Sequence, residues 1–251
     1  MLNDVRYALR ILLKNPGFTA VAVLTVALGI GANTAIFSVI NTVLLRPLPF
    51  KDPSRLVAVQ SVLYIRGTPS PGPVSYPDFV DWRKQNHVLE QMAAFRTGDF
   101  MLAGVGEPAH LSGAVVSAQL LSLLGVRPSL GRAFLPEEDT TGGANGSDAV
   151  ILSHDLWQRQ FNTDENILGR VITLNNRSFA VVGVMPADFQ FPIQAEPIEL
   201  WTTMAVDSNT TPSKNPLTAD RGSHYLKVVA RLKPGVSIAQ AKAEMDTIAL
   251  A

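Results

Sequence analysis

The chain has 251 residues, a length that suits one domain of ordinary size or one domain plus an anchor, and with 47% hydrophobic residues and a mean hydropathy of +0.17 it is somewhat apolar for a soluble protein. Its 21 basic and 21 acidic residues cancel, leaving no surplus positive charge for a nucleic-acid partner. Cysteine is absent, which excludes disulfides and thiolate metal sites and leaves the cell envelope open as a location.

Residues 1–14, MLNDVRYALRILLK, are predicted to form a short amphipathic helix. Leu2, Val5, Leu9, Leu12 and Leu13 make an apolar stripe, and Arg6, Arg10 and Lys14 recur every four residues as a basic one. Such a helix lies on an anionic membrane surface; the alternative is a solvated face on a frayed terminus. Asn15-Pro16-Gly17 is expected to break it and turn the chain.

From Phe18 to Leu45 there is no charged residue. As a helix this run is about 42 Å long, against a hydrocarbon core of about 30 Å. The GIGAN sequence inside it is not a phosphate loop: Thr34 occupies the third glycine position of GxGxxG, and no GxxxxGK[ST] occurs. Glycine here has a packing meaning. Ala27, Gly31 and Ala35 fall four apart, a small-residue face on which helices approach closely, beside a parallel row of Thr25, Gly29 and Asn33. A cleaved signal peptide is the rival reading, but its apolar core would be shorter and end in a small-x-small site. Basic residues flank the run on both sides, with Arg46, Lys51 and Arg55 after it. An inside N-terminus is expected, although the charges alone barely separate the two orientations.

The remainder is expected to be mixed α/β, of the α+β type. Residues 55–65 read as a strand and 67–73, GTPSPGP, as a loop. Ser75 with Asp78 makes a capping box for a helix that turns Phe79 and Trp82 inward. Residues 109–117 read as a strand, followed by a short helix that Gly125 ends. The acidic, glycine-rich stretch 136–148 is expected to be a surface loop. Residues 149–153 read as a strand and 154–161 as a helix burying Leu156, Trp157 and Phe161. A hairpin over 170–185 turns at Asn175-Asn176, and 226–232 is a further strand. After Lys233-Pro234-Gly235, Ser237 with Gln240 caps a last helix lined on one side by Ile238, Ala241, Met245 and Ile248. No internal repeat is present.

Catalytic residue types occur without a catalytic arrangement. Ser153-His154-Asp155 are neighbours whose side chains diverge, and no GxSxG elbow is present. His87, His110, His154 and His224 share no metal-ligand spacing. Glu137, Glu138 and Asp139 read as a solvated acidic turn rather than a calcium loop. Asn145, Asn176 and Asn209 open glycosylation sequons by pattern, which matter only in a eukaryotic secretory setting. The residues by themselves therefore point to an anchored, non-enzymatic domain with no cofactor and no metal.

The segment DVRYALRILLKNPGFTAVAVLTVALGIGANTAIFSVINTVLLRPLPFKDPSRLV closely resembles the start of MacB/FtsX-type ABC transporter permeases, above all the long duplicated permeases common in acidobacteria. The likeness continues through SYPDFVDWRKQN, LSGAVVSAQLLSLLGVRPSLGRAFLPEED, VILSHDLWQRQF, GRVITLNNRSFAVVGVMPADFQFP and VVARLKPGVSIAQAKAEM, and so covers nearly the whole chain. GIGANTAIFS and ARLKPGVS are its most telling pieces.

The resemblance implies a cytoplasmic amphipathic helix at 1–17, a transmembrane helix at 18–45 and a MacB-like periplasmic core domain at 46–251. That domain would comprise a porter-like part, 46–124 and 222–251, with a subdomain inserted at 125–221. It further implies a bacterial inner-membrane location with the core domain in the periplasm, and a separate cytoplasmic ABC ATPase as partner. Membrane lipid, a permease dimer and a periplasmic adaptor are the other partners implied. ATP hydrolysis by the partner would drive export or extraction through mechanotransmission. Family members carry three more transmembrane helices than this sequence does, so transport is expected of a longer parent chain. Two alternatives are a free-standing anchored binding module and, more remotely, an anchored hydrolase using His154 or the 137–139 carboxylates.

Overall fold

The computed structural model describes residues 14, 16–40, 49–65, 67–139, 148–208 and 216–249. It divides into two compact units, Met1–Pro49 and Phe50–Ala251.

In the first unit, helix α1 spans Pro16–Ile40. Its 25 residues give a length of about 37 Å, enough to cross a bilayer. Its described side chains are almost all exposed, Phe18 at 73% and Leu28 at 72% among them. The Thr25 hydroxyl donates to the Val21 carbonyl at 2.8 Å, so this polar group is satisfied within the helix. Of the break expected at 15–17, Pro16 and Gly17 instead belong to α1, because proline's missing N–H costs nothing in a first helical turn, and residue 15 lies outside the described residues. Lys14 is helical and exposed. The rest of the predicted 1–14 helix, Arg6 and Arg10 included, lies outside the described residues, as do 41–48.

The second unit is built on a nine-stranded sheet. Its strands are β1 (Leu56–Val59), β4 (Leu89–Ala103), β5 (Ala109–Val116), β6 (Leu130–Gly131), β7 (Asp148–Leu152), β8 (Val171–Leu174), β9 (Arg177–Val184), β10 (Leu200–Thr203) and β11 (Lys227–Leu232). They run in the order β1-β11-β4-β5-β10-β7-β9-β6, with β8 bridging β4 and β9. Antiparallel pairs dominate; β10 with β5 and β7 with β9 are parallel. A separate two-stranded ribbon joins β2 (Ser61–Ile65) and β3 (Thr68–Gly72). The segment 125–221, expected to be an insert, contributes β6 to β10 to the main sheet.

The sheet is covered on both faces, and successive residues of a strand serve opposite cores. Met92 and Ala94 enter one apolar cluster while Ala93 and Phe95 enter the other. The first cluster takes Phe79 and Trp82 from α2 (Tyr76–Gln85), Leu156 and Phe161 from α4 (His154–Phe161), Val206 from α5 (Ala205–Ser208) and Ala241 from α6 (Ile238–Ala249). The second takes the four leucines of α3 (Leu120–Leu124), which pack with Phe134, Phe191 and Trp201.

Several local signals act as their sequence implies. Ser75 accepts the Asp78 N–H, and Ser153 accepts the Leu156 N–H at 3.1 Å. Ser153 is thus the cap of α4 rather than a nucleophile. Asn175 and Asn176 have φ of 50° and 62°, as a two-residue hairpin turn requires. The Asn175 side chain also accepts the Met101 N–H at 2.8 Å, tying this turn to β4.

The acidic turn is a correction. Asp139 is only 6% exposed, at the end of a 3-10 turn over Pro136–Asp139. Its carboxylate accepts the Met204 N–H at 3.1 Å, and the Thr203 hydroxyl donates to the Glu138 carbonyl at 2.6 Å. Asp139 and the Glu138 carbonyl thus tie the turn to the end of β10, while Pro136 and Glu137 are exposed as expected and 140–147 lie outside the described residues. Burial raises the Asp139 pKa, against the lowering effect of the Ala118 and Met204 N–H groups and of Arg83. A carboxyl whose folded pKa lies above its unfolded one favours the fold at low pH, and that contribution is lost as pH rises from about 4. Asp139→Asn keeps an oxygen for Met204 and cannot ionise. It is expected to gain stability relative to the parent between pH 4 and pH 7, measured as the difference in urea midpoints. A difference that does not change with pH would count against this.

Candidate functional site: a clamped junction and an apolar cleft

Where the second unit begins, the chain is fastened by a set of side-chain bonds to backbone. Phe50 is 9% exposed and meets the Phe191 ring edge-on at 6.0 Å. The Lys51 N–H donates to the Leu124 carbonyl at 2.9 Å. Leu124 ends α3, and Gly125 caps it with φ 73°; a Cβ there would lie 2.5 Å from the Lys51 Cβ, so glycine lets the two segments meet. Arg231 on β11, the strand next to the sheet edge, is 1% exposed and reaches this point. Its guanidinium donates to the Asp52 carbonyl at 3.1 Å and to the Leu123 carbonyl. A cation at the carbonyl end of a helix is in a favourable field. Arg55 adds bonds to Asp52, Glu90 and the Leu232 carbonyl at 2.7, 2.8 and 2.9 Å. Residues 50–55 are thereby held to α3, β4 and β11 together.

The next stretch leaves the sheet. β1 pairs with β11 from Leu56 to Val59; the chain then departs as the β2–β3 ribbon and returns to pair Val74 with Leu226. The ribbon is an arm projecting from the edge strand. It replaces the loop expected at 67–73, because Pro69 and Pro71 occupy positions that need no N–H for the pairing with β2.

Between this arm and α6 lies a cleft of about 400 Å³. Val57, Val59 and Leu232 line it from the sheet, Val62 and Pro71 from the arm and Met245 from α6. Ile238, expected on the same side of that helix as Ala241, Met245 and Ile248, is 68% exposed at the cleft's rim, at the first position of the helix. Lys242 and Asp246 form an exposed ion pair at 2.5 Å on the same helix, of the kind worth little to stability. The cleft can take apolar side chains; its polar lining is Gln60, Ser61, Ser70 and the Lys242–Asp246 pair.

The residues singled out in the sequence do not come together into one site. Lys14, Ala27 and Gly31 are exposed on the first unit, and a Cβ added at Gly31 would meet nothing within 4 Å. Ala35 lies on the same helix. His154 sits beside its neighbour Asp155 and the Trp157 ring, whereas His224 faces Asp78 at 3.9 Å. Among the described residues no three His, Asp or Glu side chains gather as a metal site. The clamp and the cleft were not legible beforehand. Both are assembled from segments about 180 residues apart, and the one usable signal was an arginine in an otherwise apolar strand, VVARL.

Residues 19–248 match the family model described as the MacB-like periplasmic core domain. No curated protein matches the chain. Among solved structures, the periplasmic region of MacB from Actinobacillus actinomycetemcomitans is similar, with a TM-score of 0.57 and 14% identity over 78% of this chain and 83% of that one. A domain of a candidate permease from Porphyromonas gingivalis gives 0.56 and 15% over 80% and 82%. The extracellular domain of the noncanonic ABC-type transporter YknZ from Gram-positive bacteria gives 0.50 and 14% over 75% and 86%. At these identities the structures speak for the fold.

Proposed function

Because the chain belongs to the MacB-like periplasmic core domain family, we propose that it is the N-terminal part of an ABC transporter permease, anchored in the bacterial inner membrane by α1 with its core domain in the periplasm. The observation that carries this reading is a family match that begins inside an apolar helix long enough to span a bilayer and runs through the whole folded unit. The family is a permease domain rather than an ATPase. The energy source in this reading is a cytoplasmic ATPase acting through the rest of the permease, and the work is export or extraction of substrate. Arg6, Arg10 and Lys14 would rest on lipid headgroups. The partition into a porter-like part, 46–124 and 222–251, and an insert at 125–221 is part of the same proposal, as are a permease dimer and a periplasmic adaptor.

The clamp suits mechanotransmission. Pulling on residues 50–55 loads β11, β4 and α3 at once, because Arg231 and Arg55 join them. A force arriving there would reorient the sheet edge rather than unravel a loose linker.

Topology is the direct test, and the absence of cysteine makes it simple. Val171, 60% exposed, is replaced with cysteine in one variant and Lys14 in another. An impermeant maleimide should label Val171→Cys in cells whose outer membrane is opened and Lys14→Cys only after lysis. The reverse pattern would sink the proposed orientation. Within the span, Gly31→Leu places bulk on the Ala27–Gly31–Ala35 face. It should leave insertion intact and reduce crosslinking between α1 and neighbouring spans by about tenfold, a loss of roughly 1–2 kcal/mol of close packing. Unchanged crosslinking would remove the packing role.

A further inference from the structure

The arm has two unequal edges. Its closing pair, Ile65 with Thr68, brackets a two-residue loop in which Gly67 has φ 80°. In such a loop the closing pair exchanges hydrogen bonds, and the pattern alternates from there. Ile65–Thr68, Leu63–Ser70 and Ser61–Gly72 therefore hold the arm together. The backbone groups of Val62–Pro71 and Tyr64–Pro69 point outward. On β3 both outward residues are proline, so that edge has no N–H there and cannot template another strand. On β2 they are Val62 and Tyr64, each presenting an N–H and a C=O. Val62 is 59% exposed.

We infer that the β2 edge pairs with the β2 edge of a second copy of this chain, antiparallel about a two-fold axis through Leu63. Val62 then exchanges both hydrogen bonds with the partner subunit's Tyr64, and Tyr64 does the same with the partner subunit's Val62. The edge is self-complementary, as a two-fold interface demands. Strands β2 and β3, SVLYI and TPSPG, carry no charge, so two copies meet without the like-charge repulsion by which edge strands ordinarily resist pairing. The size of the contact selects the occupant. Five residues of strand fall far short of the roughly 1,200–2,000 Å² that a complex forming from free solution buries. Such a contact persists only between chains already held together, and two copies anchored in one membrane meet that condition. The inference thus rests on the membrane reading above and gives it a specific periplasmic dimer contact.

Leu63 would face the partner subunit's Leu63 in a pair that is not hydrogen-bonded, with Cα atoms about 4.5–5.5 Å apart, within the range a disulfide spans. The full chain carrying Leu63→Cys is placed in membrane vesicles and oxidised mildly, and covalent dimer is read on a non-reducing gel. Leu63→Cys should give at least about tenfold more dimer than Val171→Cys, an exposed strand position away from the arm. Adding Val62→Pro removes an outward N–H from each copy and leaves the arm's own ladder untouched; the Leu63→Cys dimer should fall about tenfold. Equal yields at the two cysteine positions, or indifference to the proline, would overturn arm pairing. Trapping of some other cysteine-bearing protein would overturn the second copy as occupant. Release of the chain by alkaline carbonate would refute the membrane anchor itself and the tether with it. Retention without a Leu63→Cys dimer would refute only the arm contact.

Discussion

Replacing Arg96 with leucine is expected to destabilise the Phe50–Ala251 unit by about 3–5 kcal/mol, the cost of stranding a buried charge. The reason is Asp207. It lies on a single helical turn, Ala205–Ser208, and is 0% exposed. Both its carboxylate oxygens accept from Arg96 on β4, one of them from the Arg96 Nε at 2.8 Å. The Tyr225 hydroxyl is buried beside Asp207 as well. Burial, followed by the nearby Asp207 charge, raises the Tyr225 pKa, so this phenol stays neutral and brings no positive charge to Asp207. Leucine would leave an anion with nothing to neutralise it. Urea unfolding should show the midpoint falling with little change in slope. Removing both charges at once, Arg96→Leu with Asp207→Leu, should recover to within about 1–2 kcal/mol of the parent, since an apolar pair of similar volume often replaces a buried ion pair at small cost. A double variant as unstable as the sum of the singles would show that the pair acts through packing instead.

This pair also marks the limit of what the sequence discloses. Signals that act within a few residues were readable. Serine caps at 75 and 153 need only the N–H three positions on, and the Asn175-Asn176 turn needs only its own dihedrals. The apolar span needs only the absence of charge. By contrast β4, LEQMAAFRTGDFMLA, opens with helix-forming residues and buries Met92 to Phe95 without a break. It is a strand because β11 and β5 pair on its two sides and a core lies on each face, so neither propensity nor alternation announces it. β10, LWTT, is buried at every position for the same reason. The prolines of 67–73 suggested a loop because a Pro-rich run ordinarily cannot pair; here they alternate with residues that do. The acidic cluster was read as solvated because its partners, Thr203 and Met204, lie some 65 residues away.

The same reasoning about distant partners gives the second large effect, at Arg231. This side chain is fully buried yet has no close carboxylate; the nearest, Asp52, is 3.9 Å away and half exposed. Its bonds go to the carbonyls of Asp52 and Leu123. Arg231→Ala should destabilise the unit by about 3–5 kcal/mol, combining an orphaned Leu123 carbonyl with a cavity the size of an arginine stem, while the Asp52 carbonyl keeps the Arg55 N–H. Arg231→Met fills most of that volume and isolates the polar loss, so about 2 kcal/mol is expected from it. Arg231→Lys should fall between the parent and Met, because an ammonium cannot fork between two carbonyls as a guanidinium does. The location of the loss matters more than its size. If Arg231 fastens residues 50–55 to the sheet, then in Arg231→Met the Lys51 amide, bonded to the Leu124 carbonyl, should exchange with solvent faster while amides in the β4–β5 ladder keep their protection. Uniform loss of protection across the unit would mean that the arginine supports the core as a whole and that the junction is no clamp. Selective loss would leave a folded domain whose first residues, 50–55, are loosened from the sheet. In the permease reading, ATP hydrolysis should then continue while the work done on the periplasmic side declines.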